Sequence, residues 1–277
     1  MSVDLIHRGG PPNPTFSIII PTMNLEEWRV RNCLWSIRQQ TEQNVEVIIA
    51  DINSDAEHLK MLRQLSERFD ATLYHLERDV WSIAVAYNIG LRRCRGKYAA
   101  TIDADIIFEP EVVKDTLWVF GGGDRQSVIR QPVFLGVGVD CSSLMFPACY
   151  PELAKQPEVY ISPSVGSFFC VPRSWWFKVR GYDERFEMYG LEDWEMWRRS
   201  GKDKQRKVLI GNVKKSRFPE KPPRIGCKLY HQSHLAFQKR AGVSVEDYEK
   251  YHGANQSIYS SDALVIVRND EHWGLFN

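Results

Sequence analysis

Two aspartates separated by one residue, Asp103 and Asp105, are the sharpest candidate for chemistry in the sequence. The apolar segment YAATI precedes them, which predicts a strand that carries both carboxylates to the ligand-binding edge of a sheet. Carboxylate oxygens suit Mg²⁺ or Mn²⁺, and such an ion can bridge the diphosphate of a nucleotide. Because a D-x-D triplet also occurs about once by chance in a chain of this length, two solvated loop carboxylates are the alternative interpretation.

A second acidic pair, Glu192 and Asp193, lies between the glycine-containing loop 181–191 and a helical pattern over residues 193–200, which Gly201 is expected to end. Carboxylates are favoured in the first turn of a helix by capping and by the helix dipole, even where they have no further role. A carboxylate can also accept a proton in general base catalysis. The pair is therefore interpreted either as a helix cap or as a catalytic group.

Two histidines, His231 and His234, form a third candidate group. Their spacing places both rings on one face if the segment is helical. Histidine is a common metal ligand, but a single histidine in a folded domain is more often structural. Both interpretations stay open on the residues alone.

Short apolar segments alternate with helical patterns along the first half of the chain. The predicted strands cover residues 16–21, 45–52, 71–75 and 98–102, and the predicted helices cover residues 25–40, 57–69 and 83–94. Such alternation predicts βαβ crossovers and a mainly parallel sheet. Since ligands bind beyond the carboxyl ends of such strands, residues 21–24, 51–55 and 103–105 are expected to lie together.

The second half of the chain is patterned less regularly. A helix is predicted over residues 112–120, strands over 128–137 and 167–171, and a short helix over 173–179. The basic run 202–215 contains VLIG, which predicts a strand. This run is interpreted as a solvated face, with contact to a phosphate-bearing molecule or a membrane surface as the alternative. Residues 241–277 show no pattern that predicts an element.

Four segments, in their order and spacing, resemble family 2 glycosyltransferases and their relatives. They are SIIIPTMN (17–24), VIIADINSD (47–55), AYNIGLRRCRGKYAATIDAD (86–105) and RGYDERFEMYGLEDWEMWRRSG (180–201). The resemblance covers residues 16–235 and implies an α/β fold of the GT-A type, with a mainly parallel central sheet flanked by helices. We divide the chain accordingly into a lead-in (1–14), a nucleotide-sugar-binding half (15–125), an acceptor-binding and catalytic half (126–235) joined to it in one unit, and a C-terminal extension (236–277).

The resemblance implies an inverting glycosyltransferase that moves a sugar from a UDP- or GDP-linked donor to an acceptor hydroxyl. It implies that the donor is bound at the strand ends and on the helix before the D-x-D strand, by Pro21, Thr22, Asn24, Asp51, Ser54, Asn88, Asp103, Ala104 and Asp105. Ile52 stands where family members often have a second aspartate, which leaves the base of the donor open. A strand-terminating Asx turn for Asp51 and Asp55, and packing inside the helix for Asn88, remain alternatives.

The resemblance also assigns a metal site for Mn²⁺ or Mg²⁺. Its protein ligands are Asp105, Asp103 and His231, with His234 as the alternative to His231. All of them present oxygen or nitrogen donors of the kind that these ions accept.

On the acceptor side, the resemblance makes Asp193 the base that takes the proton of the acceptor hydroxyl as its oxygen attacks the anomeric carbon. Glu192 then orients the acceptor. Tyr189 and Trp194 flank this pair and are expected to contact the acceptor, which is a glycan, a lipid-linked molecule or a small molecule. Ordinary packing is the alternative for both rings.

Composition argues against several other classes of function. The formal net charge of +1 gives no overall attraction to nucleic acid. The six cysteines form no C-x-x-C pair, which favours reduced thiols in a cytoplasmic protein. The sequence has no apolar signal segment and no run of about 18 apolar residues, so any membrane association is expected to be peripheral.

Two other functions compete with glycosyl transfer. A nucleotidylyltransferase also binds nucleotides on such a sheet, but it carries a G-x-G-T-R type of loop where this chain has PTMN. A nucleotide-sugar- or glycan-binding protein without turnover needs no base, whereas this chain has both acidic pairs. We therefore expect an enzyme.

Overall fold

The computed structural model describes residues 2–121, 127–130, 133–135, 145, 149–154, 167–209, 229–232, 243–261 and 265–276. The strands are Asp4–His7 (β1), Phe16–Thr22 (β2), Val45–Ile52 (β3), Thr72–Leu76 (β4), Tyr98–Ile102 (β5), Ile106–Phe108 (β6), Ser127–Arg130 (β7), Val133–Leu135 (β8), Phe168–Pro172 (β9), Arg206–Leu209 (β10) and Leu229–His231 (β11). The helices are Glu27–Arg38 (α1), Ala56–Arg68 (α2), Ile83–Arg93 (α3), Val112–Gly121 (α4), Tyr150–Ala154 (α5), Arg173–Val179 (α6), Glu192–Lys202 (α7) and Val245–Ser261 (α8).

The central sheet has eight strands in the order β1-β4-β3-β2-β5-β9-β7-β10. Its middle strands β4, β3, β2 and β5 are parallel to one another, whereas β1 and β9 run antiparallel to their neighbours. A second sheet has the order β6-β11-β8. The parallel order places the carboxyl ends of β2, β3 and β5 side by side at one edge.

Both faces of the central sheet are covered by helices. Side chains of β2 alternate between two apolar cores: Ile18 and Ile20 pack with residues of α1 and α2, and Ile19 packs with residues of α3 and α6. Burial on both faces explains why the central strands are continuous apolar runs. The confirmed prediction is therefore an α/β fold with a mainly parallel sheet flanked by helices.

Helix α3 lies unusually close to β2 at Gly90. A Cβ atom added to this residue would lie 2.4 Å from Cγ2 of Ile19. The glycine in the YNIG segment therefore allows α3 to pack closely against β2.

The structure differs from the predicted elements at several places. Helix α7 begins at Glu192 and continues through Gly201 to Lys202, so the prediction that Gly201 ends it was wrong. His231 belongs to a strand and not to a helix, because β11 pairs with β6 and β8. The lead-in contributes β1 to the sheet, and the unpatterned C-terminal region contains α8. His234 and residues 210–215 lie outside the described residues.

Within the parts of the chain that the structure describes, no helix is long and apolar enough to cross a membrane.

Candidate functional site

The edge formed by the carboxyl ends of β2, β3 and β4 is organised around Asp51. Its buried carboxylate accepts hydrogen bonds from Thr22 Oγ1 at 2.8 Å and Ser54 Oγ at 2.6 Å, and His75 Nδ1 lies 2.8 Å from its other oxygen. The hydrogen bond to Asp51 raises the pKa of His75, although burial opposes this. Asp51 therefore fixes the loop ends of the predicted nucleotide pocket, and its oxygens are engaged within the protein.

The exposed rim of this pocket is formed by Asn24, in a left-handed conformation (φ 46°). Its backbone N–H donates to Ser54 Oγ at 2.8 Å, and its side-chain oxygen accepts from the N–H of Asp55 at 2.9 Å. Asp55 in turn caps α2, since its carboxylate accepts from the N–H of His58. Asp55 is therefore the N-cap of α2, a role different from the strand-terminating Asx turn considered for it. Pro21 is buried near the end of β2, and its contact with the donor stays a prediction.

The D-x-D carboxylates lie directly beyond β5. The hydroxyl of Tyr87 donates to Asp103 Oδ1 at 3.2 Å. Burial and the neighbouring Asp105 raise the pKa of Asp103, while His231 and the Tyr87 hydroxyl lower it. Ala104 between the two aspartates is almost fully buried, with 4% exposure, so the triplet packs against the core and is not a solvated loop.

Asp105 and His231 lie next to each other. The distance from His231 Nε2 to Asp105 Oδ1 is 3.4 Å. They meet because β11 pairs antiparallel with β6, which places His231 opposite Ile106, the residue after Asp105. Two of the three predicted metal ligands are thus brought together from distant parts of the chain.

Gln232, which is fully buried, holds this arrangement in place. Its backbone N–H donates to the carbonyl of Asp105 at 2.9 Å. Its side-chain amide donates to the carbonyl of Arg29 at 3.0 Å and accepts from Asn32 at 2.9 Å. Helix α1 is thereby tied to the residue that follows His231.

The described residues contain no group of three His, Cys, Asp or Glu side chains arranged to hold a metal ion. Among the described residues, Asp105 and His231 are a close pair of donors, and Asp103, a bound substrate or water can add further ligands. Cys33 lies near both aspartates, but burial and then the charge of Asp105 raise the pKa of its thiol. Both effects favour the neutral thiol over the thiolate.

Helix α7 presents the second acidic pair. The N-cap position is Leu191, whose side chain makes no capping bond, so neither Glu192 nor Asp193 occupies that position. Glu192 is 2% exposed, and its Oε2 accepts from the N–H of Gly190 at 2.7 Å. Burial raises the pKa of Glu192 to about 7. This carboxyl group therefore exchanges its proton near neutral pH.

Three buried aromatic rings, Tyr87, Tyr182 and Trp176, stack in a row that we call the aromatic column. The ring centroids are 5.0 Å apart for the two tyrosines and 5.4 Å apart for Tyr182 and Trp176. The hydroxyl of Tyr182 shares a hydrogen bond of 2.9 Å with Thr101 on β5. One end of the column reaches Asp103 through the Tyr87 hydroxyl.

Both acidic pairs converge on this column. The pKa values of Tyr87 and Tyr182 are raised by burial first and then by the negative charges of Asp103, Glu192 and Asp193. The D-x-D strand and the first turn of α7 therefore face the same region. Such an arrangement can place a metal-bound diphosphate and a base around one reacting centre.

Comparison with known proteins agrees with this geometry. The family model described as "Glycosyl transferase family 2" matches residues 17–186, more than half of the chain. The chain belongs to glycosyl transferase family 2. The chain is 29% identical over 98 residues to Glycosyltransferase GlyA of Streptococcus pneumoniae, a match that covers 35% of this chain and 14% of GlyA. It is 24% identical to an uncharacterized glycosyltransferase of Haemophilus influenzae, over 65% of this chain and 59% of that protein.

Solved structures support the GT-A fold of this family 2 member. S. aureus TarS 1-349 in complex with UDP superimposes with a TM-score of 0.56 at 16% identity, covering 88% of this chain and 65% of TarS 1-349. The complex of TarS 1-349 with UDP-GlcNAc gives a TM-score of 0.57 and covers 86% of this chain and 64% of the other. The chain thus spans less than two thirds of these relatives.

The side chain of Asn88 is buried and bonded within this family 2 chain. Its buried amide donates to the carbonyl of Tyr182 at 2.8 Å and to Glu184 at 2.9 Å, and it accepts from the N–H of Tyr182 at 2.8 Å. These contacts tie α3 to the segment before the E-D pair. These contacts support the packing interpretation of Asn88, and its contact with the donor stays a prediction.

Tyr189 and Trp194 lie on the outer side of the E-D pair in this family 2 chain. They are 44% and 42% exposed, which is unusual for large aromatic side chains. Neither ring is part of the buried core clusters. Contact of Tyr189 and Trp194 with an acceptor stays a prediction.

Sequence reasoning missed Tyr87, Tyr182 and Gln232. Both tyrosines lie inside the motif segments, so their position next to Asn88 and Gly181 was a signal that they belong to the site. Gln232 carried no such signal, because its contacts with Arg29 and Asn32 depend on the fold.

Proposed function

We propose that this chain transfers a sugar from a nucleotide-sugar to an acceptor hydroxyl, with inversion at the anomeric carbon and with the help of a divalent cation. The family match over residues 17–186 and the contact of Asp103 with the aromatic column carry the proposal, and the charges of Glu192 and Asp193 act on the tyrosines of the same column. A protein that only binds nucleotide-sugars has no need of an acidic pair from a second element at this place.

The donor nucleotide is proposed to lie on the edge around Thr22, Asn24 and Ser54. Asp51 acts there as a positioning residue, since its carboxylate fixes both hydroxyl side chains. The complexes of S. aureus TarS with UDP and UDP-GlcNAc favour a uridine nucleotide. A GDP-linked donor is also tested. Ile52 stands where family members often have a second aspartate, so the base of the donor is open.

Asp105, His231 and Asp103 are proposed to hold Mn²⁺ or Mg²⁺. Their donor chemistry fits such an ion: Asp105 and His231 are a close pair of an oxygen and a nitrogen donor, and burial together with the charge of Asp105 raises the pKa of Asp103. A bound cation supplies charge that offsets the negative charge building on the leaving diphosphate. Tyr87 bonds the side chain of Asp103, and Gln232 bonds the backbone carbonyl of Asp105.

Asp193 is proposed to take the proton of the acceptor hydroxyl. It lies in the first turn of α7, where the helix dipole stabilises a carboxylate. Glu192, with its pKa of about 7, can donate or accept a hydrogen bond and is proposed to orient the acceptor. Attack from this side, with the diphosphate held at Asp105, inverts the sugar. Tyr189 and Trp194 are proposed to cover the acceptor.

The test is nucleotide release from UDP-GlcNAc, UDP-glucose, UDP-galactose and GDP-mannose, with Mn²⁺, Mg²⁺ or EDTA. Asp105→Ala and Asp193→Asn are compared with Glu249→Gln, an exposed acidic residue on α8. We expect release from one donor that disappears with EDTA and in both site variants, and that Glu249→Gln leaves unchanged.

Two other outcomes contradict the proposal. Calorimetric binding of a nucleotide-sugar without turnover, with and without candidate glycan acceptors, indicates a binding protein. If the protein neither binds nor turns over any of these nucleotide-sugars, it has no nucleotide-sugar site.

A further inference from the structure

The segment that leads into the E-D pair has a strained backbone. Met188 (φ 55°) and Leu191 (φ 74°) adopt left-handed conformations that side-chain-bearing residues avoid, and Gly190 lies at φ 117°. Such conformations persist only where surrounding contacts impose them, and they concentrate at functional sites. The contacts that hold residues 187–191 are therefore of interest.

One side of the segment is held by the start of α3. The N–H of Met188 donates to the carbonyl of Trp81 at 2.7 Å, and the N–H of Ile83 donates to the carbonyl of Met188 at 3.2 Å. These bonds fix the backbone of Met188. Other contacts have to fix Gly190 and Leu191.

The other side is held by Asn255 on α8. Its amide donates to the carbonyl of Glu187 at 2.8 Å and to the carbonyl of Gly190 at 3.2 Å, and its oxygen accepts from the N–H of Glu187 at 3.2 Å. Asn255 is 1% exposed, whereas every other residue of α8 is half-buried or exposed. One asparagine thus bridges both ends of the strained loop.

Gly190 connects this asparagine to the acidic pair. Its carbonyl accepts from Asn255, and its N–H donates to Oε2 of Glu192 at 2.7 Å. Tyr189, the exposed ring on the acceptor side, lies between the two anchored residues Met188 and Gly190. A movement of the loop therefore displaces both Glu192 and Tyr189.

We propose that Asn255 is a positioning residue of the acceptor site, and that α8 belongs to that site because it holds residues 187–191 in their strained conformation. The expected effect of Asn255 on catalysis rests on the proposed function. The structural part of the inference, the anchoring of the loop, can be measured without any turnover.

The experiment compares Asn255→Ala and Asn255→Asp with the native protein. The aspartate is nearly the same shape and keeps the bond from the N–H of Glu187, but it loses both donated bonds. Gln256→Ala is the matched control, since its exposed neighbouring side chain contacts only Ser260 on the same helix. Hydrogen exchange of residues 187–193 is followed by mass spectrometry, and kcat and KM are measured with the donor that the native protein turns over.

We expect both Asn255 variants to raise exchange in residues 187–193 at least tenfold and to lower kcat about tenfold, with donor KM and UDP affinity within twofold of the native values. Unchanged exchange in Asn255→Asp overturns the anchoring. Faster exchange with an unchanged kcat, or an equal loss of UDP affinity, overturns the positioning role. If the native protein turns over no donor, the proposed function fails, and the exchange measurement still decides the anchoring.

Discussion

His231 Nε2 lies 3.4 Å from Asp105 Oδ1, although His231 falls outside residues 17–186, which the family model matches. The pairing of β11 with β6 produces this contact. Part of the site therefore depends on a short strand beyond the matched region, and the residues that fix that strand become targets for mutation.

Replacing Gln232 with alanine is expected to lower the affinity for Mn²⁺ about tenfold, because loss of a group that orients a ligand has this effect in metal sites. The variant loses the side-chain bonds to Arg29 and Asn32 that hold the residue after His231. Affinity is measured by titration calorimetry in the presence of UDP. Gln64→Ala, on the exposed face of α2, is the control. Equal affinities in both variants would mean that His231 keeps its place without Gln232.

The variant Tyr87→Phe removes the hydroxyl that donates to Asp103 while retaining the stacked ring. This bond favours the ionised carboxylate, so its loss raises the pKa of Asp103 further. We expect kcat/KM to fall about tenfold and its acid limb to move to higher pH. The pH profile of donor turnover checks this. Tyr182→Phe, which loses only the bond to Thr101, should leave the acid limb in place.

The free energy of unfolding should depend on pH through His75. Its pKa is raised above the ordinary value of 6.5, mainly by the hydrogen bond to Asp51. A raised pKa means that the folded state binds the proton more tightly, so this stabilisation is complete below pH 6.5 and is lost as the pH rises through the folded-state pKa. The difference between the native protein and His75→Asn in urea unfolding should therefore shrink between pH 6 and pH 9.

The control for this titration is His272→Asn, whose side chain is 74% exposed. Replacement of such an exposed side chain should change the free energy of unfolding by less than about 0.5 kcal/mol. The prediction is contradicted if the difference in unfolding free energy between the native protein and His75→Asn grows with pH. That result would mean that His75 is neutral in the folded protein.

The close approach of α3 to β2 predicts opposite effects for two glycines in helices. Gly90→Ala places a Cβ 2.4 Å from Ile19 and should destabilise the fold by about 1–3 kcal/mol. Gly253→Ala in α8 meets no atom within 4 Å and should stabilise the helix by about 1 kcal/mol. Urea unfolding of both variants measures the two effects, and a neutral Gly90→Ala would show that α3 can move away from the sheet.

Glu195 on α7 is expected to be critical for stability. Its buried carboxylate accepts from Arg199 Nε at 2.7 Å and from Arg268 Nε of the C-terminal segment at 3.2 Å. Glu195→Gln removes the negative charge that both buried guanidinium groups share and should cost about 3–5 kcal/mol of unfolding free energy. Glu67→Gln breaks an exposed pair with Arg63 and should cost less than about 1 kcal/mol. Similar losses in both variants would contradict this.

The first half of the fold could be predicted from the sequence because its pattern is local. Strands β2, β3 and β5 are buried on both faces and read as continuous apolar runs, and the helices between them have ordinary helical spacing. Both acidic pairs could be located for a similar reason. One pair follows β5 and the other opens α7, and both elements have a local sequence pattern.

The rest could not be predicted, because it depends on contacts between distant residues. Strands β6 and β11 have three residues each and are defined by their pairing alone. Helix α8 has no apolar stripe, since its one buried residue is the polar Asn255. Asn88 was assigned to the donor because its motif was recognisable, whereas its hydrogen bonds to Tyr182 and Glu184 were not.

The aromatic column also gives the site an optical signal. Trp176, Tyr182 and Tyr87 are rigidly stacked and buried, and the last of them is bonded to Asp103. Rings held in one asymmetric arrangement contribute strongly to near-ultraviolet circular dichroism. A ligand that reorients Asp103 therefore changes the spectrum of chromophores that the chain already contains, so occupancy of the donor edge can be followed without a label.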